Sequence, residues 1–126
     1  LVEVQMSAGE ARDILAQWKA HSLAVESNTM SALEMATQVA DVFKVLSDAT
    51  RVLILQTLIG TGGRRVSDLA AAVGMSQSSV SHHLRILRHF RLVRTTRKGK
   101  EIYYSPDDAH VEVLLSVCAE HVASDH

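Results

Sequence analysis

The chain has 126 residues, 47% of them hydrophobic, with one proline, one cysteine and a net charge of -1. That length fits one domain rather than two, and the single Cys118 closes no intrachain disulfide, which points to a reducing, cytoplasmic setting. No apolar run approaches the roughly 18 residues of a membrane span, and no secretory signal is visible at the start.

The neutral total conceals a segregation of charge. Residues 51–100 carry ten Lys and Arg against Asp68 alone, a balance of +9, while the remainder carries three Lys and Arg against thirteen Asp and Glu, a balance of -10. One basic face for an anionic partner is the expected consequence, and the whole-chain isoelectric point hides it.

Residues 8–25 read as an amphipathic helix with Ile14, Leu15, Trp18 and Leu23 toward one side. After a break at 27–29, a helix over 31–46 places Leu33, Ala36, Val39, Ala40, Phe43 and Leu46 at helical spacing. Ser47-Asp48 caps a helix over 48–59 with an apolar stripe of Val52, Leu53, Leu55, Leu58 and Ile59, and GTGG at 60–63 ends it. Val66–Val73 is a short helix, Gly74-Met75 a tight turn, and Ser76 caps a helix reaching His89. Two short helices joined by a few residues that include glycine form a helix-turn-helix. LVRTT (92–96) and EIYYS (101–105) flank RKGK and read as a hairpin turning at Gly99. A last helix follows, with Asp107 or Asp108 near its positive N-terminal end. The expected architecture is mainly α with a small β-hairpin wing, a winged helix-turn-helix. Its division is a helical extension over 1–30 and a winged domain over 31–126 that ends in a dimerisation helix.

On the second helix of the pair, Val80, Leu84 and Leu87 recur at inward spacing. The outer face offers Ser76, Gln77, Ser78, Ser81, His82 and Arg85, short hydrogen-bonding groups near the helix N-terminus, where major-groove readers place their base contacts. Arg88, Arg91 and Arg94 follow, and the hairpin tip adds Arg97, Lys98 and Lys100 for phosphates or the adjoining minor groove. Taken singly, a serine-rich helix start is a cap and an Arg/Lys run is a solvated face. The succession of turn, polar face and basic hairpin between residues 66 and 104 is what points to double-stranded operator DNA. Enzymatic chemistry has no matching constellation: there is no nucleophile–base set, and GTGG lacks the Lys-Ser/Thr of a phosphate loop.

FKVLSDATRVLILQTL, VSDLAAAVGMSQSSVSHHLRILRHFRLV and RKGKEIYYS together resemble the ArsR/SmtB family of metal-responsive bacterial repressors, over about residues 33–123. The resemblance implies a homodimer that binds operator DNA without effector and is released when an inducer binds. One family sensing site uses Cys-x-Cys where this chain has RRVSD (64–68), so thiolate sensing there is excluded. Another lies on the last helix, and Asp108, His110 and His121 match its Asp-x-His followed eleven residues later by His.

Eleven residues bring His121 back to within about 20° of His110 on the helix face but roughly 16 Å along the axis. Ligand bonds of about 2 Å cannot reach both from one ion. Two antiparallel copies solve this, with Asp108 and His110 of one chain meeting His121 of the other, and symmetry then gives two equivalent sites. Leu114 and Val117 would face the partner helix, while Val111, Leu115, Cys118 and Val122 would face the protomer's own core. The usual fourth ligand position is Ser124, a poor donor, leaving Asp125, His126 or water. Imidazole and carboxylate suit Zn(II) as effector, with Co(II) or Ni(II) possible. His21, His82, His83 and His89 are read as surface or reading-head residues. The alternative is a regulator of the same fold with no metal site, answering to a small molecule or acting constitutively.

Overall fold

A computed structural model describes residues 30–124 continuously, together with helical residues 9, 12–14, 16, 17 and 19. Leu15, Trp18, His21, Leu23, Asp125 and His126 lie outside the described residues. The described elements are α1 (Ala32–Val45), α2 (Ala49–Leu58), α3 (Val66–Val73), α4 (Gln77–His89), β1 (Val93–Lys98), β2 (Glu101–Pro106) and α5 (Ala109–Ala123). They belong to two compact units: residues 44–112, and a second unit formed by the residues before Lys44 and those from Val113 onward.

The first unit is built around α2, α3 and α4, with the hairpin packed against α2 and α4. Its core is Ile54, Leu55, Leu58, Leu69, Val80, Leu84, Leu87 and Val93, each buried essentially completely. Burial of that kind contributes about 1.5–3 kcal/mol per side chain before entropy is counted. On α2 the apolar face is rotated from the expected stripe: Ile54 is in the core and Leu53 is 45% exposed. The run VLIL is apolar throughout, so periodicity alone does not choose which of its members turns inward.

Local chemistry explains the helix boundaries. Asp48 Oδ1 accepts from the backbone N–H of Thr50 and Arg51 at 2.8 and 3.2 Å, closing the first turn of α2. Gly74 ends α3 in the left-handed region (φ 71°), where glycine carries no Cβ penalty. Ser76 Oγ then accepts from the N–H of Ser79 at 3.1 Å and starts α4. In the antiparallel hairpin Lys98 pairs with Glu101, so Gly99-Lys100 is a two-residue turn with Gly99 at φ 66°.

A third, one-residue strand was not foreseen. Arg64 and Tyr104 exchange backbone hydrogen bonds of 2.9 and 2.7 Å along the free edge of β2. Gly63 suits this approach because the residue sits at φ 119°, a conformation that L side chains rarely adopt. The segment GGRRV contains no β-prone run, so no sequence signal marked it.

In the second unit α1 is amphipathic, yet Leu33 is 77% and Phe43 52% exposed. On α5, which starts in the first unit and continues in the second, Val111 and Leu115 are buried as expected, whereas Cys118 and Val122 are exposed, which corrects their assignment to the protomer's core. Both sit on the later turns of the helix, among the residues from Val113 onward.

Candidate nucleic-acid interface and metal positions

The helix pair α3–α4 presents its second member with one face locked inward by Val80, Leu84 and Leu87. On the other face Ser76, Gln77, Ser78, His82 and Arg85 are exposed and Ser81 is half-buried. Gln77, Ser81 and Arg85 are spaced four apart, as are Ser78 and His82, so the set forms one polar strip. The Ser76 hydroxyl is already engaged as the helix cap, which leaves its proton for a ligand.

His83 faces the protein instead. Its Nδ1 accepts from Arg51 Nε at 3.3 Å, and Arg51 Nη1 also donates to the Val45 carbonyl at 3.2 Å. This tie between α2 and the recognition helix was not anticipated. It joins residues 32 positions apart, and only the fold brings them together.

At the wing, strand pairing sorts the cations. Arg97 lies opposite Ile102 and Arg94 opposite Ser105, so alternation puts Arg94, Thr96 and Lys98 on one face and Arg97 on the other. Arg97 Nε donates to the Gly99 carbonyl at 3.1 Å, and Lys98 Nζ stands 5.1 Å from the centre of the Tyr103 ring. Lys100 is exposed in the turn. The lone acid of the basic stretch, Asp68, is held by Arg65 through Nε (3.2 Å) and Nη2 (3.3 Å). That hydrogen bond lowers the Asp68 pKa and raises that of Arg65. Asp68 therefore stays ionised and offsets the charge of its partner Arg65.

Asp108 and His110 are brought together at the start of α5. Asp108 Oδ1 accepts from the backbone N–H of His110 (2.9 Å) and of Val111 (3.4 Å), while Oδ2 lies 3.4 Å from His110 Nδ1. Both side chains are more than half exposed. The Oδ2–Nδ1 separation is longer than the 2.7–2.9 Å usual for a charge-assisted hydrogen bond. It is close to the edge, about 3.3 Å, of a tetrahedral zinc shell with bonds near 2 Å.

His121 is exposed on the same helix. Ser124 turns its hydroxyl back to the His121 carbonyl at 3.0 Å, away from any ligand role. Among the described residues no group of three His, Cys, Asp or Glu side chains is placed to hold a metal ion.

The polar recognition strip, the helix pair beneath it and the basic hairpin beside it define a winged helix-turn-helix DNA-binding protein. Comparison with known proteins agrees. The model of the family described as "Bacterial regulatory protein, arsR family" matches residues 48–95. A transcriptional repressor SmtB homolog from Synechocystis sp. is 43% identical over 98 residues, 78% of this chain and 73% of its own length. The HTH-type transcriptional regulator NmtR from Mycobacterium tuberculosis is 44% identical over 93 residues, 74% and 75% of the two chains. Among solved structures, the homodimeric winged helix-turn-helix DNA-binding domain of a possible ArsR-family regulator from Mycobacterium bovis matches with a TM-score of 0.65 at 33% identity, covering 79% of this chain and 93% of that one. The chain belongs to the ArsR family of bacterial regulatory proteins, which are transcriptional regulators and not enzymes. No described helix is long and apolar enough to cross a membrane.

Proposed function

We propose that this chain is a homodimeric, cytoplasmic, metal-responsive repressor. It binds operator DNA through Ser76, Gln77, Ser78, Ser81, His82, Arg85 and the wing cations Arg97, Lys98 and Lys100. It leaves the DNA when Zn(II), or in its place Co(II) or Ni(II), binds at two symmetric sites. Each site would take Asp108 and His110 from one protomer and His121 and Asp125 from the other. The observation that carries the metal reading is the 3.4 Å spacing of Asp108 Oδ2 and His110 Nδ1 at the head of α5. The eleven-residue offset of His121 on that helix supports an antiparallel pairing, because a rise of roughly 16 Å prevents one helix from closing the site alone.

Dimerisation is supported by the exposed Leu33, Phe43 and Val122, which a monomer would leave in water. The Mycobacterium bovis relative is homodimeric. Relatives named for cadmium resistance, in Staphylococcus aureus, and for antimony-specific repression favour an inorganic effector. The metal, when bound, supplies a crosslink between the two α5 helices. The protein's part is to hold Asp108 by its cap bonds and to present His110 beside it. For release, the ion must bind the free dimer more tightly than the DNA-bound one, by a coupling of about 1–3 kcal/mol.

In the division proposed here residues 1–30 form an extension and residues 31–126 the winged domain. A Co(II) titration of the purified dimer tests the site. Ligand-field bands of a tetrahedral complex that saturate at one ion per protomer are expected, and they vanish in His121→Ala. Absence of such bands in the native protein would remove the metal site and leave a regulator without one.

A further inference from the structure

Helix α4 ends in a hydrogen-bonded cap of defined form. The Arg91 N–H donates to the Arg88 carbonyl at 3.0 Å and the Leu92 N–H to the Leu87 carbonyl at 2.9 Å. In this motif the residue after the cap must adopt the left-handed conformation, and glycine is the residue that does so without penalty. Here it is Arg91, at φ 58°. Every other positive-φ residue among those described is a glycine, including Gly74 at the equivalent end of α3. The chain thus keeps a side chain at the one such position where it works against the backbone.

Nothing within the described protein accounts for keeping it. Arg91 is exposed, so it does not fill the core. No described carboxylate lies within ion-pair distance of it, since the described pairs involve Arg65 and His110 only. Its place in the fold is more informative. It sits between the recognition helix and β1, with Arg88 in the last turn of α4 and Arg94 in β1 both exposed as well.

We infer that Arg91 is a phosphate anchor, held in the left-handed cap so that a guanidinium meets the DNA backbone at the junction of recognition helix and wing. Backbone strain kept at an exposed position is explained when an external ligand uses the side chain. A guanidinium there matches phosphate geometry. The anchor is indifferent to sequence, because phosphates carry no base information.

The inference rests on duplex binding by this face, which the salt dependence of the native protein tests separately. The experiment measures affinity for a mixed-sequence DNA duplex across a salt series, for native protein and for Arg91→Gly, Arg91→Gln and Arg91→Lys. Arg91→Gly relieves the backbone and should melt no lower than native, so any loss it shows is not unfolding. Arg91→Gly and Arg91→Gln should both bind about a hundredfold more weakly at moderate salt, about tenfold for each of the dimer's two anchors, the scale of one charged hydrogen bond apiece. Their log–log salt slopes should shrink by about 1.8, one phosphate for each protomer of the dimer. Arg91→Lys should keep the slope. Native-like affinity and slope in Arg91→Gly, or weakened binding with an unchanged slope, would overturn the assignment.

Discussion

Arg51 Nε donates to His83 Nδ1 across 3.3 Å, so the first turn of α2 grips the recognition helix from its protein side. With Nδ1 as the acceptor, Nε2 is the donor position of the His83 ring. Arg51→Ala removes this bond and the one to the Val45 carbonyl and should destabilise the fold by about 1–3 kcal/mol. A double-mutant cycle with His83→Ala, read by urea unfolding, should return a coupling of about 0.5–1.5 kcal/mol. A coupling of zero would mean that the two side chains are neighbours without interaction.

Asp48 gives stability a dependence on acid. Its carboxylate is held below the usual value of 3.8 chiefly by the backbone N–H of Arg51, with those of Thr50 and the charge of Arg51 adding to it against some desolvation. Because the folded-state pKa is lowered, this contribution is fully present above the unfolded pKa and is lost as pH falls through the depressed value. Asp48→Asn retains a cap acceptor, so it should cost little at neutral pH and flatten the acid limb of a stability–pH profile. Asp48→Ala should cost about 1 kcal/mol at neutral pH.

Base-reading and phosphate-holding residues should separate in binding experiments. Arg85 lies on the exposed strip of α4, and its replacement by Ala should cost about 1–3 kcal/mol on a selected operator but little on mixed-sequence DNA. Lys100, exposed in the wing turn, should weaken both duplexes alike and reduce the salt slope by about 1.8, one phosphate per wing of the dimer, when changed to Ala. Fluorescence anisotropy on the two duplexes distinguishes these patterns.

The exposed apolar side chains of α1 and α5 predict the oligomeric state. Phe43→Glu places a charge where a 52% exposed aromatic ring would otherwise be covered by a second copy. Sedimentation equilibrium should find the native protein dimeric and this variant monomeric, with helical content of the winged unit retained. A dimeric Phe43→Glu would put the interface elsewhere.

The reading head was legible because its chemistry is local. Gly74, Ser76 and Gly99 fix boundaries through their own backbone and side-chain preferences, and the helices of residues 66–73 and 77–89 fall where those signals put them. The Asp108 cap at the head of α5 is likewise a short-range bond within three residues. What escaped is long-range or unsignalled. The Arg64–Tyr104 bridge depends on the hairpin already being in place, and the Arg51–His83 bond depends on α2 crossing α4. Leu53 was misplaced because a wholly apolar run carries no phase. Cys118 and Val122 were assigned inward from helical phase alone, which says which residues share a face but not whether that face is covered.

The most direct test of a metal-responsive repressor is operator affinity with and without metal. A duplex selected in vitro for binding would be titrated with native dimer and with His121→Ala, each free of metal and then saturated with Zn(II), Co(II) or Ni(II). At least one ion should weaken native binding about tenfold or more, the scale of an allosteric coupling. His121→Ala should keep the metal-free affinity and lose the response. Native affinity unchanged by all three ions would contradict the account.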